Sequence, residues 1–341
     1  MTRSQRLRAT FASWLEALRW QDALKVLLAF VLIGVVISRT DLHAIAALRQ
    51  QISWPWLAAS FALLASLTAL KAVQYWALLN RGVPYGQVVR IVVIQNALTN
   101  LVTLAAGAAS YMTMLRVEQN VKLSRSGIIF IITKAGDLFS MCLYLLISAI
   151  VVWGRVQALQ PVVILLLAGA FFGLGVFWTL IFLRRSLVSG LDRLARRLRL
   201  DRIKVVASIL DAMQSLVDLD HRMVARTVLT GLALSLCYMT VTMIYAYSTL
   251  RAFRVPLDAW AILFLTAIMQ LISIIPIQAF GGLGVTEVTS LYLYDLFHVT
   301  GVDMAAIVVG MRVVFYLFNL GLLLYLPLLA LRGRGSPRAQ T

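Results

Sequence analysis

Charge is what this sequence has least of. Asp, Glu, Lys and Arg make up 13% of its 341 residues, and only 14 residues are acidic, whereas a soluble domain is about a quarter charged. That composition argues against a soluble globular enzyme. Cysteine and histidine are scarce as well. Cys142 and Cys237 both lie inside apolar runs, which predicts buried free thiols and neither a disulfide framework nor a metal knuckle. His43, His221 and His298 are scattered, with no spacing that suits zinc or iron. The sequence has no nucleotide-binding loop and no nucleophile elbow, so neither a cofactor, a metal nor a catalytic residue is expected.

What fills the chain instead is apolar: 61% of residues, with a mean hydropathy of +0.88. Several runs reach the ~20 apolar residues needed to cross the ~30 Å hydrocarbon layer. The expected fold class is an all-α polytopic integral membrane protein with full spans at about 24–38, 54–79, 127–153, 161–183, 224–250 and 303–331. Two further stretches are apolar but broken. Residues 88–104 carry Arg90, Gln95, Asn96 and Asn100 and stop at Ala105-Ala106-Gly107-Ala108, while residues 257–277 break at Pro276 and enter Gly281-Gly282-Leu283-Gly284 before a short helix at about 285–297. Each reads as a re-entrant helical hairpin beside the six full spans.

Lys and Arg number 31, for a net charge of +17. In a soluble protein that would suggest nucleic acid. Here the basic residues fall at the ends of apolar runs, where anionic lipid headgroups are the expected partner. Residues 1–23 read as a basic interfacial segment, with Leu7, Phe11, Trp14 and Leu18 at helical spacing, and the apolar run that follows reads as a retained signal anchor. Residues 24–331 read as one membrane domain and 332–341 as a polar tail. Within the domain, 184–226 holds ten Lys+Arg and five Asp among helically spaced apolar residues, the pattern of amphipathic helices lying on a leaflet. The N-terminal segment, the 81–90 and 116–125 connections, the 184–226 block and the tail fall on one side, which holds 23 of the 31 basic residues. By the positive-inside rule both termini are expected in the cytoplasm, with the chain in a cell membrane.

Two stretches share one grammar: apolar half-helix, glycine break, short helix, then a long span with a cation about a third of the way in. The first runs from Tyr85 through Gly107 to Lys134, the second from Leu257 through Gly282 to Arg312, and three full crossings separate their starts. An odd number turns the second copy upside down, so an inverted repeat is expected, the architecture of an alternating-access carrier.

The strongest local pattern is P-x-x-x-x-G-G-L-G-x-x-E, from Pro276 to Glu287. It resembles the flippase-like membrane domain of lysylphosphatidylglycerol synthases and of many stand-alone proteins of bacteria and archaea, and the resemblance extends from about Trp54 to Leu326. Family members carry a P-G-x-x-G-D-like turn followed by an arginine; this chain has Leu104-Ala105-Ala106-Gly107-Ala108-Ala109-Ser110-Tyr111, with Arg116 as the candidate for that arginine. The family's E-R-x-x-D signature appears as Thr133-Lys134-Ala135-Gly136-Asp137, keeping cation and aspartate without the glutamate. The resemblance implies a lipid-handling module that moves a phospholipid or polyprenyl-linked lipid between leaflets. Aminoacyl-transferring members append a large soluble catalytic domain, and none follows the last span here. The chain is therefore expected not to be an enzyme.

Candidate substrate-binding residues are Lys134, Asp137, Gly281, Gly282, Gly284, Glu287 and Arg312, with Gly107 and Arg116 from the first repeat. Lys134 and Asp137 are three apart on one helix face, ~10 to 15 Å inside their span. Charges at that depth cost at least ~2.5 kcal/mol each, so a partner or water is required. They form either a structural ion pair or a cavity in which Asp137 holds Lys134 against a lipid phosphate. Arg312 has no acid at i±3 or i±4, which makes Glu287 its expected partner, either as a brace or beside a lipid. The glycine turn opens a helix N-terminus that favours an anion. Lys71 lies near the end of its span and is expected to snorkel. The competing readings are a polyprenyl-dependent glycosyltransferase, which would want an acidic pair at an outward loop, and an accessory subunit that positions a lipid-modifying partner, alone or as a homo-oligomer.

Overall fold

The computed structural model describes residues 50–101, 104–119, 121, 123–182, 221–273, 284–299 and 303–324. Among these, every regular element is helical. The long helices are α1 (Trp54–Leu78), α4 (Leu123–Val152), α5 (Gln160–Phe182), α6 (His221–Ala252) and α9 (Met304–Leu323); shorter ones are α2 (Tyr85–Leu101), α3 (Leu104–Gln119), α7 (Ala259–Ile272) and α8 (Val285–Leu296). The five long helices are also the five that are long and apolar enough to cross a membrane. They match five of the six expected spans. The sixth, at 24–38, lies outside the described residues, as do 1–23, most of 184–226, Gly281, Gly282 and the tail.

Local chemistry sets the ends. Pro55 sits in the first turn of α1, where its missing amide costs no hydrogen bond. Asp258 and Asp303 cap α7 and α9 by accepting the Ala261 and Ala306 amides. Arg125, at the start of α4, donates to the Leu79 carbonyl at the end of α1. Two tight turns, Trp153–Arg155 and Gln157–Leu159, reverse the chain between α4 and α5.

The packing is reciprocal in part: α4 also packs extensively on α6, whereas α1 barely meets α9. The most extensive interface joins α1 to α6, fastened by the Ser60 hydroxyl donating to Ser248 and the Ser53 amide to the Ala252 carbonyl. α1 also packs on α2, and α6 on α7; α2 reaches across to α9, and α7 to α4; α3 lies on α4, and α8 on α9. One apolar core gathers Leu145, Phe264, Ile268 and Ile307, and a second gathers Tyr75, Ile91, Tyr111 and Leu115. Outside them Ile150, Leu165, Phe172 and Leu229 are exposed, the outer face expected where lipid is the solvent. Trp54, Trp56, Trp153 and Trp260 are exposed at helix ends, as membrane-interface anchors should be.

Three expectations need correction. Gly107 is not at a break: it is a buried residue inside α3. The reason is that its neighbours are alanines, the best helix formers, and that a side chain there has no room, since a Cβ would fall 1.9 Å from Thr99 Oγ1 and 2.8 Å from the Gln95 carbonyl oxygen on α2. Glycine in a membrane helix here serves close packing. Cys237 is exposed on α6, unlike the buried Cys142; an apolar run predicts membrane depth, not which face meets protein. Lys71 does not snorkel. It is buried, on a stripe of α1 that also holds Ser60, Thr68 and Gln74.

Candidate functional site

Among the described residues, two largely buried clusters of charge sit between helices. The first joins α1, α4 and α6. Lys71 Nζ donates to both Asp137 oxygens, at 2.8 and 2.7 Å, and to Gln74 Oε1 at 3.0 Å. Gln74 Nε2 in turn donates to Ser235 Oγ at 2.7 Å and to the Gly231 carbonyl at 3.1 Å, and Ser235 closes the ring by donating to Asp137 Oδ1 at 3.0 Å. The ammonium also stands 4.2 Å from the Tyr238 ring centroid, a contact that stabilises a desolvated cation. Gly136 makes this meeting possible, because a Cβ there would lie 2.7 Å from Ser235 Oγ.

Lys134 is placed otherwise than expected. Its Nζ is 3.8 Å from Asp137 Oδ2, and its side chain is 44% exposed against 7% for Lys71. Asp137 therefore holds Lys71, and Lys134 is the outer member of a triad, with the Phe130 ring behind it at 5.8 Å. Sequence reasoning sent Lys71 to the membrane surface and passed over Gln74 and Ser235. The signal that finds them is the polar stripe on α1, since an apolar helix hides such residues from lipid only by turning them toward protein.

Near the ring, Tyr75 stacks on Tyr111 at 4.4 Å between centroids and accepts from Gln95 Nε2. Gln95 Oε1, the Tyr111 hydroxyl and Thr133 Oγ1 are buried without a hydrogen-bond partner among the described residues. Buried polar atoms left so cost about 1–3 kcal/mol each.

The second cluster joins α8 and α9. Arg312 Nε lies 3.1 Å from Glu287 Oε1, with side-chain exposures of 14% and 7%. This is the pair the sequence suggested. The other Glu287 oxygen accepts the Gly284 amide, so the carboxylate also caps α8. Gly284 has φ of 86°, a left-handed conformation that favours glycine. The Arg312 guanidinium lies 4.9 Å from the Tyr316 ring and 5.6 Å from that of Phe315.

Other candidates lie apart. Arg116 is exposed in the last turn of α3, in neither cluster. Asn100 of α2 donates to Asn319 Oδ1 on α9 at 2.8 Å, and Asn319 donates to the Phe315 carbonyl, so these amides tie helices together. The described residues contain no group of three or more His, Cys, Asp or Glu side chains that could hold a metal.

Apolar helices with outward-facing apolar side chains, enclosing ion pairs between them, define a polytopic integral membrane protein. The family model described as the lysylphosphatidylglycerol synthase TM region matches residues 23–322, and the chain belongs to that family. No curated protein and no solved structure matches it.

Proposed function

We propose that the protein is a carrier, not an enzyme, that moves an anionic phospholipid or polyprenyl-linked lipid between leaflets. The observation that carries this reading is the reciprocal packing. Exchanging α1 with α6, α2 with α7, α3 with α8 and α4 with α9 turns the α2–α9 contact into α7–α4, the α1–α2 contact into α6–α7, and α3–α4 into α8–α9, while α1–α6 maps onto itself. A pseudo-two-fold produces that pattern. With α2–α3 and α7–α8 as hairpins that enter and return, three crossings separate the copies, and the repeat is inverted. Carriers of this architecture hold substrate between the repeats near the midplane. Each repeat here brings an ion-paired cation on its long helix, Lys134 on α4 and Arg312 on α9.

In this reading both termini and the basic 184–226 block face the cytoplasm, on the side of Arg81 and Arg125. Family membership supports lipid handling. The test is reconstitution of the purified chain into vesicles that carry fluorescent lipid analogues, with leaflet exchange read by quenching from outside. Exchange faster than in protein-free vesicles, for an anionic lipid above a neutral one, is the expected result. A rate equal to that of protein-free vesicles for every lipid overturns the proposal.

A further inference from the structure

The two clusters differ in charge balance. Arg312 and Glu287 cancel. Lys71, Lys134 and Asp137 leave one positive charge over, and the geometry says which residue carries it. Both Asp137 oxygens are taken by Lys71, one of them also by Ser235. Lys134, at 3.8 Å and 44% exposed, lies beyond hydrogen-bond reach of that carboxylate. It stands nine residues along the candidate span that begins at Arg125, about 14 Å by helical rise. An ammonium at such depth costs at least ~2.5 kcal/mol unless it is matched.

We propose that Lys134 takes the phosphodiester of a lipid bearing a single negative charge, and that Lys71 makes it available by keeping Asp137 occupied. The inference rests on the lipid-carrier reading and names its substrate class. One surplus positive charge is neutralised by one phosphodiester, whereas a doubly charged phosphate leaves a net negative charge in the same low-dielectric place. Lys134 is the contact residue and Lys71 a positioning residue. Arg312, already neutral with Glu287, braces the turn before α8.

The charge arithmetic supplies its own test. The full chain is placed in phosphatidylcholine vesicles doped with spin-labelled phosphatidylglycerol, and the fraction of label held at the protein is measured. Lys134→Gln, at an exposed side chain, should fold and bind the label at least about tenfold more weakly. Lys71→Gln should weaken binding as much although Lys134 is intact, because Asp137 then turns to Lys134 and cancels it. Lys71→Gln combined with Asp137→Asn restores the surplus charge and should restore binding. A purely structural role for the Lys71–Asp137 pair gives no such recovery.

Parent-level binding by Lys134→Gln overturns the proposal, as does a double variant that folds yet binds no better than Lys71→Gln. Displacement of the label by inorganic phosphate would assign the site to a soluble anion and overturn it too. Binding that follows this pattern without leaflet exchange would leave the site standing and remove only the carrier reading.

Discussion

The cluster around Asp137 and the cluster around Glu287 meet the same difficulty, charge between helices at membrane depth, in different ways. At Glu287 one carboxylate serves one guanidinium and one backbone amide, within a single pair of consecutive helices. At Asp137 donors from two other helices, Lys71 of α1 and Ser235 of α6, close on the carboxylate, and a second lysine on its own helix stands outside them. The first arrangement balances in charge. The second carries one positive charge more than its carboxylate cancels. A charge that is fully matched by protein holds a fold together, and one that is left over is free to meet a ligand.

Breaking the complete pair should have the largest effect. Removing one partner of a buried ion pair leaves the other unmatched, at a cost of about 3–5 kcal/mol. Arg312→Gln and Glu287→Gln should each lower the apparent melting temperature in detergent sharply, and the double variant by less than the two added together. Lys134→Gln should lower stability by no more than about 0.5 kcal/mol, as at other exposed positions, and should raise it where no lipid is bound, since it removes an ammonium at membrane depth. Equal thermal losses at Arg312 and Lys134 would erase the distinction between the clusters.

Close helix approach is the next term. Gly107→Ala puts a methyl group against the Gln95 carbonyl on α2, a backbone atom that cannot rotate away. Overpacking of this kind costs about 1–3 kcal/mol. The damage should be confined to the α2–α3 pair, so lipid-label binding at Lys134 should survive in whatever fraction remains folded. Loss of binding with unchanged stability would make Gly107 part of the lipid site, as the glycine-break reading of the sequence expected.

How much of this was legible in the sequence depends on the kind of information. Four spans came out within a few residues of the helices and a fifth at its start, its end lying outside the described residues, because length and hydropathy are properties of the chain alone. Glu287 and Arg312 were paired correctly because Arg312 has no acid on its own helix and the glycine motif carries one. Lys71 was misread because snorkelling and burial differ only by rotation of the helix about its axis, which hydropathy does not report. The Lys134–Asp137 pair was read from spacing on one helix and forms at 3.8 Å, but Lys71 from another helix takes the closer place on the carboxylate. Spacing reports which residues can meet, and packing decides which do.

A third ion pair provides the exposed end of the comparison. Arg155, the last residue of a candidate span, and Asp258, the cap of α7, meet at the ends of apolar segments with side-chain exposures of 51% and 45%. Slight burial opposes charge on Asp258, but hydrogen bonds from the Ala261 amide and Arg155, with the charge of Arg155, hold its carboxyl below the ordinary aspartate range. Its charged form is thus favoured in the folded state. The resulting stability is fully present above the unfolded value of about 3.9 and is lost as pH falls through the lower folded value. Between pH 5 and 8 this pair should contribute no pH dependence. In water, exposed pairs are worth about 0–1 kcal/mol, so Asp258→Asn should cost little more than the loss of a charged cap on α7. Its small effect should shrink further in high salt, whereas that of Glu287→Gln should not. A salt-sensitive loss at Glu287 would mean that the second cluster is open to water, and the contrast with Asp137 would then have to be drawn on geometry instead of burial.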